Sequence, residues 1–399
     1  MSSHDILVAA GEASGDQHAA GLVSELHRFR PDLRFFGMGG AQLEAAGLER
    51  LYDAREVSVM GITEVVPKLP RILAVMRGLE RAALERKPSL AILVDIPDFN
   101  LRLARRLKAA GVRVVYYVSP MLWAWRPGRV KQIARDVDRM LCILPFEEPW
   151  YRERGVAARY VGSPVLDQVP RPNSPDAFRR ALGLDPARPT LALLPGSRMS
   201  EVRRLLPAMI GAAHTLSLEH PGLQIVIPVA PTVPRHAIEA QFTGRRLSPV
   251  LIHGRAPEAV GASDVAIVAS GTATLEAGLM MRPMVVVYRV SPLSWLVGRA
   301  MVKVAHVALV NLLSGRRIVP ELLQGEVRAD RIAEEARRLW SGPGRENAVR
   351  GLSDLRRHLG EAGAARRAAE AVLELLGEEG AGSAPGPEAL SGTGAAESA

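Results

Sequence analysis

Short runs of aliphatic and β-branched residues alternate along this chain with longer segments in which apolar residues recur every three or four positions. Near-continuous apolar runs mark strands buried on both faces, and their alternation with helical periodicity indicates a parallel sheet covered by helices. In the first half the pattern predicts strands at 5–10, 33–37, 90–94, 112–118, 139–144 and 158–161. Helices are predicted near 17–29, 69–86, 100–109, 129–135 and 146–154. The alternation stops at Val169-Pro170-Arg171-Pro172-Asn173-Ser174-Pro175, whose prolines continue neither a helix nor a central strand. It restarts with strands at 190–194, 223–229, 249–252, 264–268 and 284–288 and helices near 200–218, 256–262, 272–281 and 328–341. A last helical stretch, 344–376, ends at Gly377.

The fold class this predicts is α/β, with two doubly wound, Rossmann-like domains. Ligand crevices form at the carboxyl ends of such strands, so the two crevices are expected to face each other across a cleft. The 399 residues divide as 1–170, 171–343 and a terminal helical piece, 344–377, packing back on the first domain. Residues 378–399 are rich in Gly, Ser, Ala and Pro and read as a disordered tail.

Charge adds one question. The formal charge is +9, and the tail holds four Glu and no Lys or Arg, so setting it aside leaves +13 on residues 1–377. An excess of that size suits an anionic partner. A basic nucleic-acid-binding protein would show aromatics interleaved with Arg and Lys on a recognisable module, and none is seen. Cys142 is the single cysteine and sits in an apolar run, which excludes an internal disulfide and a cysteine metal cluster. With no secretory leader and no run of 18 apolar residues, a soluble, cytoplasmic protein is expected.

Candidate chemistry gathers where predicted strands end. Gly11-Glu12-Ala13-Ser14-Gly15-Asp16 follows the first strand and leads into a helix, a glycine-punctuated turn able to bring N–H groups close to a ligand. No Gly-Lys-Ser/Thr follows, so it is not a nucleotide P-loop, and a tight turn without a ligand is the other reading. Asp95, Asp98 and Asn100 follow the strand 90–94, where a carboxylate either caps a helix or serves as a base. Ser119 to Arg129 places Trp123, Trp125, Arg126 and Arg129 on one loop, suited to a sugar ring or an acyl chain as well as to plain packing. In the second half, Gly196, Ser197 and Arg198 precede a helix and offer backbone donors and a cation to an anionic oxygen; pairing of Arg198 with Glu201 is the alternative. Ser270, Gly271 and Thr272 are expected to cap the next helix and meet a diphosphate. Glu276, one turn on, is placed to take ribose hydroxyls.

Taken in order, Gly11–Asp16, Val94–Asn100, Ser119–Arg129, Leu193–Arg198, Ser270–Glu276, Val310–Leu313 and Pro320–Gln324 closely resemble the lipid-A-disaccharide synthase family. That family comprises bacterial inverting glycosyltransferases of the two-domain GT-B fold, and the resemblance spans roughly residues 5–376. It implies transfer of 2,3-diacylglucosamine from its UDP derivative to 2,3-diacylglucosamine 1-phosphate. The products would be the β-1,6-linked lipid A disaccharide 1-phosphate and UDP, in lipopolysaccharide biosynthesis. By the family pattern the carboxyl-terminal domain holds UDP, and Asn311 and Gln324 join the nucleotide site. The amino-terminal domain holds the acceptor, with Gly11, Glu12, Ser14, Gly15, Asp16, His18, Asn100 and Trp123 as its candidate contacts.

The implied chemistry is one direct displacement at the anomeric carbon. Asp98 is the first candidate for the base that removes the acceptor 6-hydroxyl proton, then Asp95, then His18. Arg198 and the N–H groups after Ser270 are expected to neutralise the departing diphosphate. No cofactor and no metal are expected, since no Asp-x-Asp pair stands beside the diphosphate loops. Acylated substrates imply an anionic membrane surface as a partner and peripheral association with the cytoplasmic face of the inner membrane. The apolar segment Val57–Pro67, followed by Lys68, Arg71 and Arg77, is the candidate docking element. A homodimer is among the oligomeric states left open. The rival within this architecture is another UDP-sugar enzyme, such as a 2-epimerase or a transferase with a water-soluble acceptor.

Overall fold

A computed structural model describes residues 4–57, 62–124, 127–170, 174–292, 295–296 and 305–377. Much of the docking segment, including Ile62 and Lys68, lies outside the described side chains. Trp125, Arg126 and the tail 378–399 also lie outside the described residues.

The first sheet is built from β1 (Asp5–Ala10), β2 (Arg34–Gly39), β3 (Leu48–Asp53), β4 (Leu90–Val94), β5 (Arg113–Tyr117), β6 (Arg139–Cys142) and β7 (Ala158–Tyr160). Its order is β3-β2-β1-β4-β5-β6-β7, all parallel, with Ala10 opposite Val94. The second contains β8 (Thr190–Leu194), β9 (Gln224–Val229), β10 (Val250–His253), β11 (Val265–Ala269), β12 (Met284–Tyr288) and β13 (Glu321–Leu323). Its order is β10-β9-β8-β11-β12-β13, again all parallel. Strand order reverses between β1 and β4 in one sheet and between β8 and β11 in the other. Those reversals open the crevices in which doubly wound folds bind ligands. The loops Gly11–Asp16, Asp95–Asn100, Gly196–Arg198 and Ser270–Glu276 follow these four strands, while Ser119–Arg129 follows the neighbouring β5.

Helices cover both faces of each sheet. Leu7 and Ala9 of β1 pack into one core with Leu103 and Leu107, while Ile6 and Val8 pack on the other side with Leu22 and Leu26. Leu191 and Leu193 likewise face one core of the second sheet, and Ala192 and Leu194 the opposite one. This two-sided burial is why the strands read as continuous apolar runs.

Several elements differ from the sequence expectation. The first helix is Glu12–Phe29 with Gly11 as its N-cap, so Gly15 and Asp16 belong to a helix and not to a preceding turn. Pro175 opens the helix Pro175–Ala181, capped by Ser174, where the sequence suggested continuous linker; residues 171–173 lie outside the described chain. The terminal stretch is two helices, Gly342–Leu359 and Ala364–Leu376, separated at Gly360 and Gly363, whose φ values are 75° and 100°. The last of these packs on Glu12–Phe29, burying Ala368, Val372 and Leu373 with Ile6 and Val8.

Candidate active site

At the first switch point the backbone is held in an unusual form. Glu12 after β1, and Asp95 and Ile96 after β4, have φ of 58°, 54° and 39°. Left-handed geometry costs a non-glycine residue on the order of 1–3 kcal/mol and persists only where its surroundings over-determine it. Asn100 supplies much of that constraint. It is fully buried, and its Nδ2 donates to the carbonyls of Ala9, Val94 and Asp95 at 3.2, 3.1 and 2.9 Å. Tyr116 Oη donates to the same Asp95 carbonyl at 2.6 Å. Gly11 is required beside this knot, because a Cβ there would meet Ile96 Cδ1 at 2.5 Å.

The carboxylates here are not equivalent. Burial pushes the Asp95 carboxyl up to about 6, and the Glu12 charge adds to the shift. Gly15 is its neighbour: an added Cβ there would stand 3.5 Å from Asp95 Cβ, an ordinary contact. Asp98, at the start of the helix Pro97–Ala109, is two-thirds exposed and accepts from Arg129 Nη1 at 2.8 Å. Ser14 is exposed on the first turn of its helix.

Three acceptor-side expectations change. Asp16 is committed to structure: its carboxylate accepts from the backbone N–H groups of Gly40, Gln42 and Leu43, capping the helix Ala41–Ala45. Asn100 uses its amide N–H groups inside the sheet. His18 is a poor base, because burial lowers it to about 4 and its Nδ1 lies 3.1 Å from Gln168 Nε2, accepting that bond.

Trp123 donates to Glu147 Oε1 at 3.1 Å and meets Phe146 edge-on at 4.9 Å. Glu147 also accepts from Ser119 Oγ at 2.5 Å and Leu144 N at 3.1 Å, is fully buried, and is pushed up to about 7 by that burial. Sequence reading passed over Glu147. Its signal is a carboxylate at a helix start directly after a buried strand, the same signal that drew attention to Asp98.

In the second sheet, Gly196 has φ 108°, and the N–H groups of Ser197 and Arg198 point to one spot, where Glu201 Oε2 accepts both at 3.0 and 3.3 Å. The Arg198 guanidinium reaches Glu201 Oε1 at 3.5 Å. After β11, the helix Thr272–Leu279 starts at Gly271 with no side-chain cap, so the expected capping by Ser270 and Thr272 is not made. Ser270 Oγ instead donates to the Val307 carbonyl at 3.0 Å, and Thr272 is exposed. Among the described residues the N–H groups of Thr272 and Ala273 meet no acceptor and are open to solvent or a ligand, while Thr274 N donates to the Gly271 carbonyl at 3.1 Å. Glu276 lies on the same helix, half-buried, with its pKa raised by burial; no protein donor pairs with its carboxylate among the described residues.

Asn311 and Gln324 take other parts than the family pattern suggested. Asn311 is fully buried, with its Oδ1 accepting from Ile318 N and Val319 N and its Nδ2 donating to Val319 O and Glu321. Glu321 in turn accepts from Val307 N and Ala308 N, so this network builds the loop that Ser270 grips. Gln324 Oε1 accepts from Val290 N at 2.8 Å and its Nε2 donates to Val290 O at 3.3 Å. Both amides bond to protein groups around the site, Gln324 to backbone alone and Asn311 to backbone and the Glu321 carboxylate. Among the described residues no cluster of His, Cys, Asp or Glu could hold a metal ion.

Two doubly wound parallel sheets, each with its chemistry at the switch point, define the class as an α/β protein of the GT-B glycosyltransferase architecture. Solved structures agree on the fold. The calicheamicin glycosyltransferase matches with TM-score 0.61 at 18% identity, over 94% of this chain and 99% of that one. MurG of Acinetobacter baumannii gives 0.58 at 14% over 94% and 99%, and the UDP-GlcNAc 2-epimerase of Neisseria meningitidis 0.58 at 12% over 93% and 99%. Fold alone thus spans transferases and epimerases. Sequence decides between them: the lipid-A-disaccharide synthetase family model matches residues 6–375, and the chain belongs to that family. It is 67% identical to the lipid-A-disaccharide synthase of Myxococcus xanthus, over 93% of this chain and 97% of that protein. The identity to the Anaeromyxobacter dehalogenans enzyme is 57% over the same shares.

Proposed function

We propose that this chain joins two acylated glucosamines, as its family does, and that the two switch points divide the work. The activity transfers 2,3-diacylglucosamine from UDP to the 6-hydroxyl of 2,3-diacylglucosamine 1-phosphate, leaving a β-1,6 disaccharide 1-phosphate and UDP. One observation carries the placement of the nucleotide: Glu276 is an unpaired, half-buried carboxylate one turn from an uncapped helix start. A nucleoside diphosphate satisfies both at once, its phosphates at the helix N–H groups and its ribose hydroxyls donating to Glu276. Gly196, Ser197 and Arg198 supply the remaining charge for the departing diphosphate.

On the acceptor side Asp98 is the proposed base. Geometry precedes pKa in such an assignment, and Asp98 is the exposed carboxylate, oriented by Arg129. Asp95, held underneath in strained backbone, is the runner-up. Glu12, Gly15 and Trp123 line the acceptor side in this reading, and the metal-free charge neutralisation falls to protein groups.

Membrane contact belongs to the proposal as well. Among the described residues no helix is long and apolar enough to cross a bilayer. Acyl chains leave a bilayer at a cost of about 0.8 kcal/mol per CH₂ group, so the enzyme is expected to meet its substrates at an anionic surface. The apolar segment followed by Lys68, Arg71 and Arg77 is the proposed contact. Incubating purified protein with both acylated substrates should give a tetra-acylated disaccharide 1-phosphate by mass spectrometry. Absence of that product, with epimerised UDP-N-acetylglucosamine formed instead, would refute the proposal.

A further inference from the structure

Successive N–H groups converging beside a glycine with positive φ form a nest, a concavity that binds anions. The turn Gly196-Ser197-Arg198 is such a nest, and a side chain of the same chain fills it. Glu201 reaches back from the first turn of the helix Met199–Glu219, and its Oε2 takes Ser197 N at 3.0 Å and Arg198 N at 3.3 Å. The fit is close: a Cβ at Gly196 would stand 2.2 Å from that same oxygen. Arg198 adds its guanidinium at 3.5 Å from Oε1. A reciprocal helix cap explains the bond to Arg198 N. It does not explain the shorter bond to Ser197 N or the cation turned onto the same carboxylate.

We infer that Glu201 is an internal stand-in for the donor's phosphate, occupying the Ser197–Arg198 nest in the free enzyme and yielding it when the sugar nucleotide binds. The inference rests on the nucleotide assignment proposed above. The nest itself does not depend on Glu201, since Thr232 Oγ1 donates to the Ser197 carbonyl from the loop after β9 and anchors the turn independently. Glu201 is half-buried at the surface, so its carboxylate can swing into water without a large desolvation change. Burial raises the hydroxyl pKa of Tyr288, at the end of β12; the Glu201 charge adds to that shift and the Arg198 charge opposes it, so both groups lie near this ring. The functional consequence is exchange. A carboxylate waiting beside the nest lowers affinity for the donor but speeds departure of UDP, because it refills the donors as the diphosphate leaves.

Calorimetric titration of the full chain with UDP, inorganic pyrophosphate and uridine tests this. Glu201→Gln should bind UDP about five- to tenfold more tightly, the factor expected for removing a competing hydrogen-bonded anion. Pyrophosphate should tighten in parallel, and uridine should not change. Glu201→Asp, whose carboxylate is too short to fill the nest, should also tighten UDP, and donor KM should fall in both variants without a rise in kcat. Unchanged or weaker UDP binding in Glu201→Gln would overturn the inference. So would tightening confined to Gln with Asp like wild type, which reduces the effect to local charge, or equal tightening of uridine. Arg198→Ala separates the two layers: if it leaves UDP affinity untouched, the nucleotide assignment of this turn itself is wrong.

Discussion

Replacing Asn100 by Asp exchanges an NH₂ group for an oxygen at the point where the carbonyls of Ala9, Val94 and Asp95 converge. A protonated Asp can donate one of the three bonds now made, and an ionised Asp none. Losing two buried bonds costs about 1–3 kcal/mol each, so the deficit at acid pH is about 2–6 kcal/mol. Ionisation then adds carboxylate-to-carbonyl repulsion in a dry site, so the folded state holds the new proton to a pH above the unfolded value. A group with a raised folded pKa stabilises the fold below its unfolded pKa, and that contribution is lost as pH rises. The variant should therefore lose stability between about pH 4 and 8 relative to wild type. At about 2–4 °C per kcal/mol for a domain of this size, its melting point should fall by about 4–24 °C at pH 5 and further at pH 8. Circular dichroism melts across that range, with turnover measured where the variant is folded, provide the assay. Melting indistinguishable from wild type at pH 8 would refute the claim that this amide holds the strained turn after β4.

Asp98→Asn should lower kcat by about 10²–10⁴-fold while leaving UDP affinity intact, the range for a lost base; near-normal turnover would pass the role to Asp95. In that event the acid limb of the pH profile should fall near the value of about 6 to which burial pushes Asp95, and Asp95→Asn should abolish it. Glu276→Ala should weaken UDP by roughly 10–100-fold, the worth of a charged hydrogen bond, with little change in melting point. Glu147 is raised from 4.5 to about 7, so the folded state binds more protons than the unfolded chain in that window and stability should decline as pH rises through it. Glu147→Gln should flatten that decline, and thermal melts at pH 5 and pH 8 check it; an unchanged slope would assign it to another group.

Much of the fold was legible because the strands are buried on both faces and announce themselves as apolar runs. The missing strands are those for which this fails. β3, Leu48-Glu49-Arg50-Leu51-Tyr52-Asp53, is an edge strand with Glu49 and Arg50 exposed, and β13 has only three residues. What was legible of the candidate site is its placement at the carboxyl ends of strands, as for Asp95 after β4 and Arg198 after β8. What pattern cannot show is where a side chain spends its hydrogen bonds. Asp16 caps a helix 24 residues away, and the Asn311 amide closes onto Val319 and Glu321, so polar residues inside a motif proved to be its scaffolding.

The return of the last helix to the first sheet has a consequence for biosynthesis. Ala368, Val372 and Leu373 cover Ile6 and Val8, yet some 200 residues separate β7 from that cover. At 5–20 residues per second the ribosome needs roughly 10–40 s to bridge the gap. During that interval the first sheet waits with one apolar flank open. A nascent chain of this design is most exposed to chaperones, or to aggregation, when it is nearly finished. A stop codon placed shortly before Ala364 would leave both sheets written and the first still unclosed.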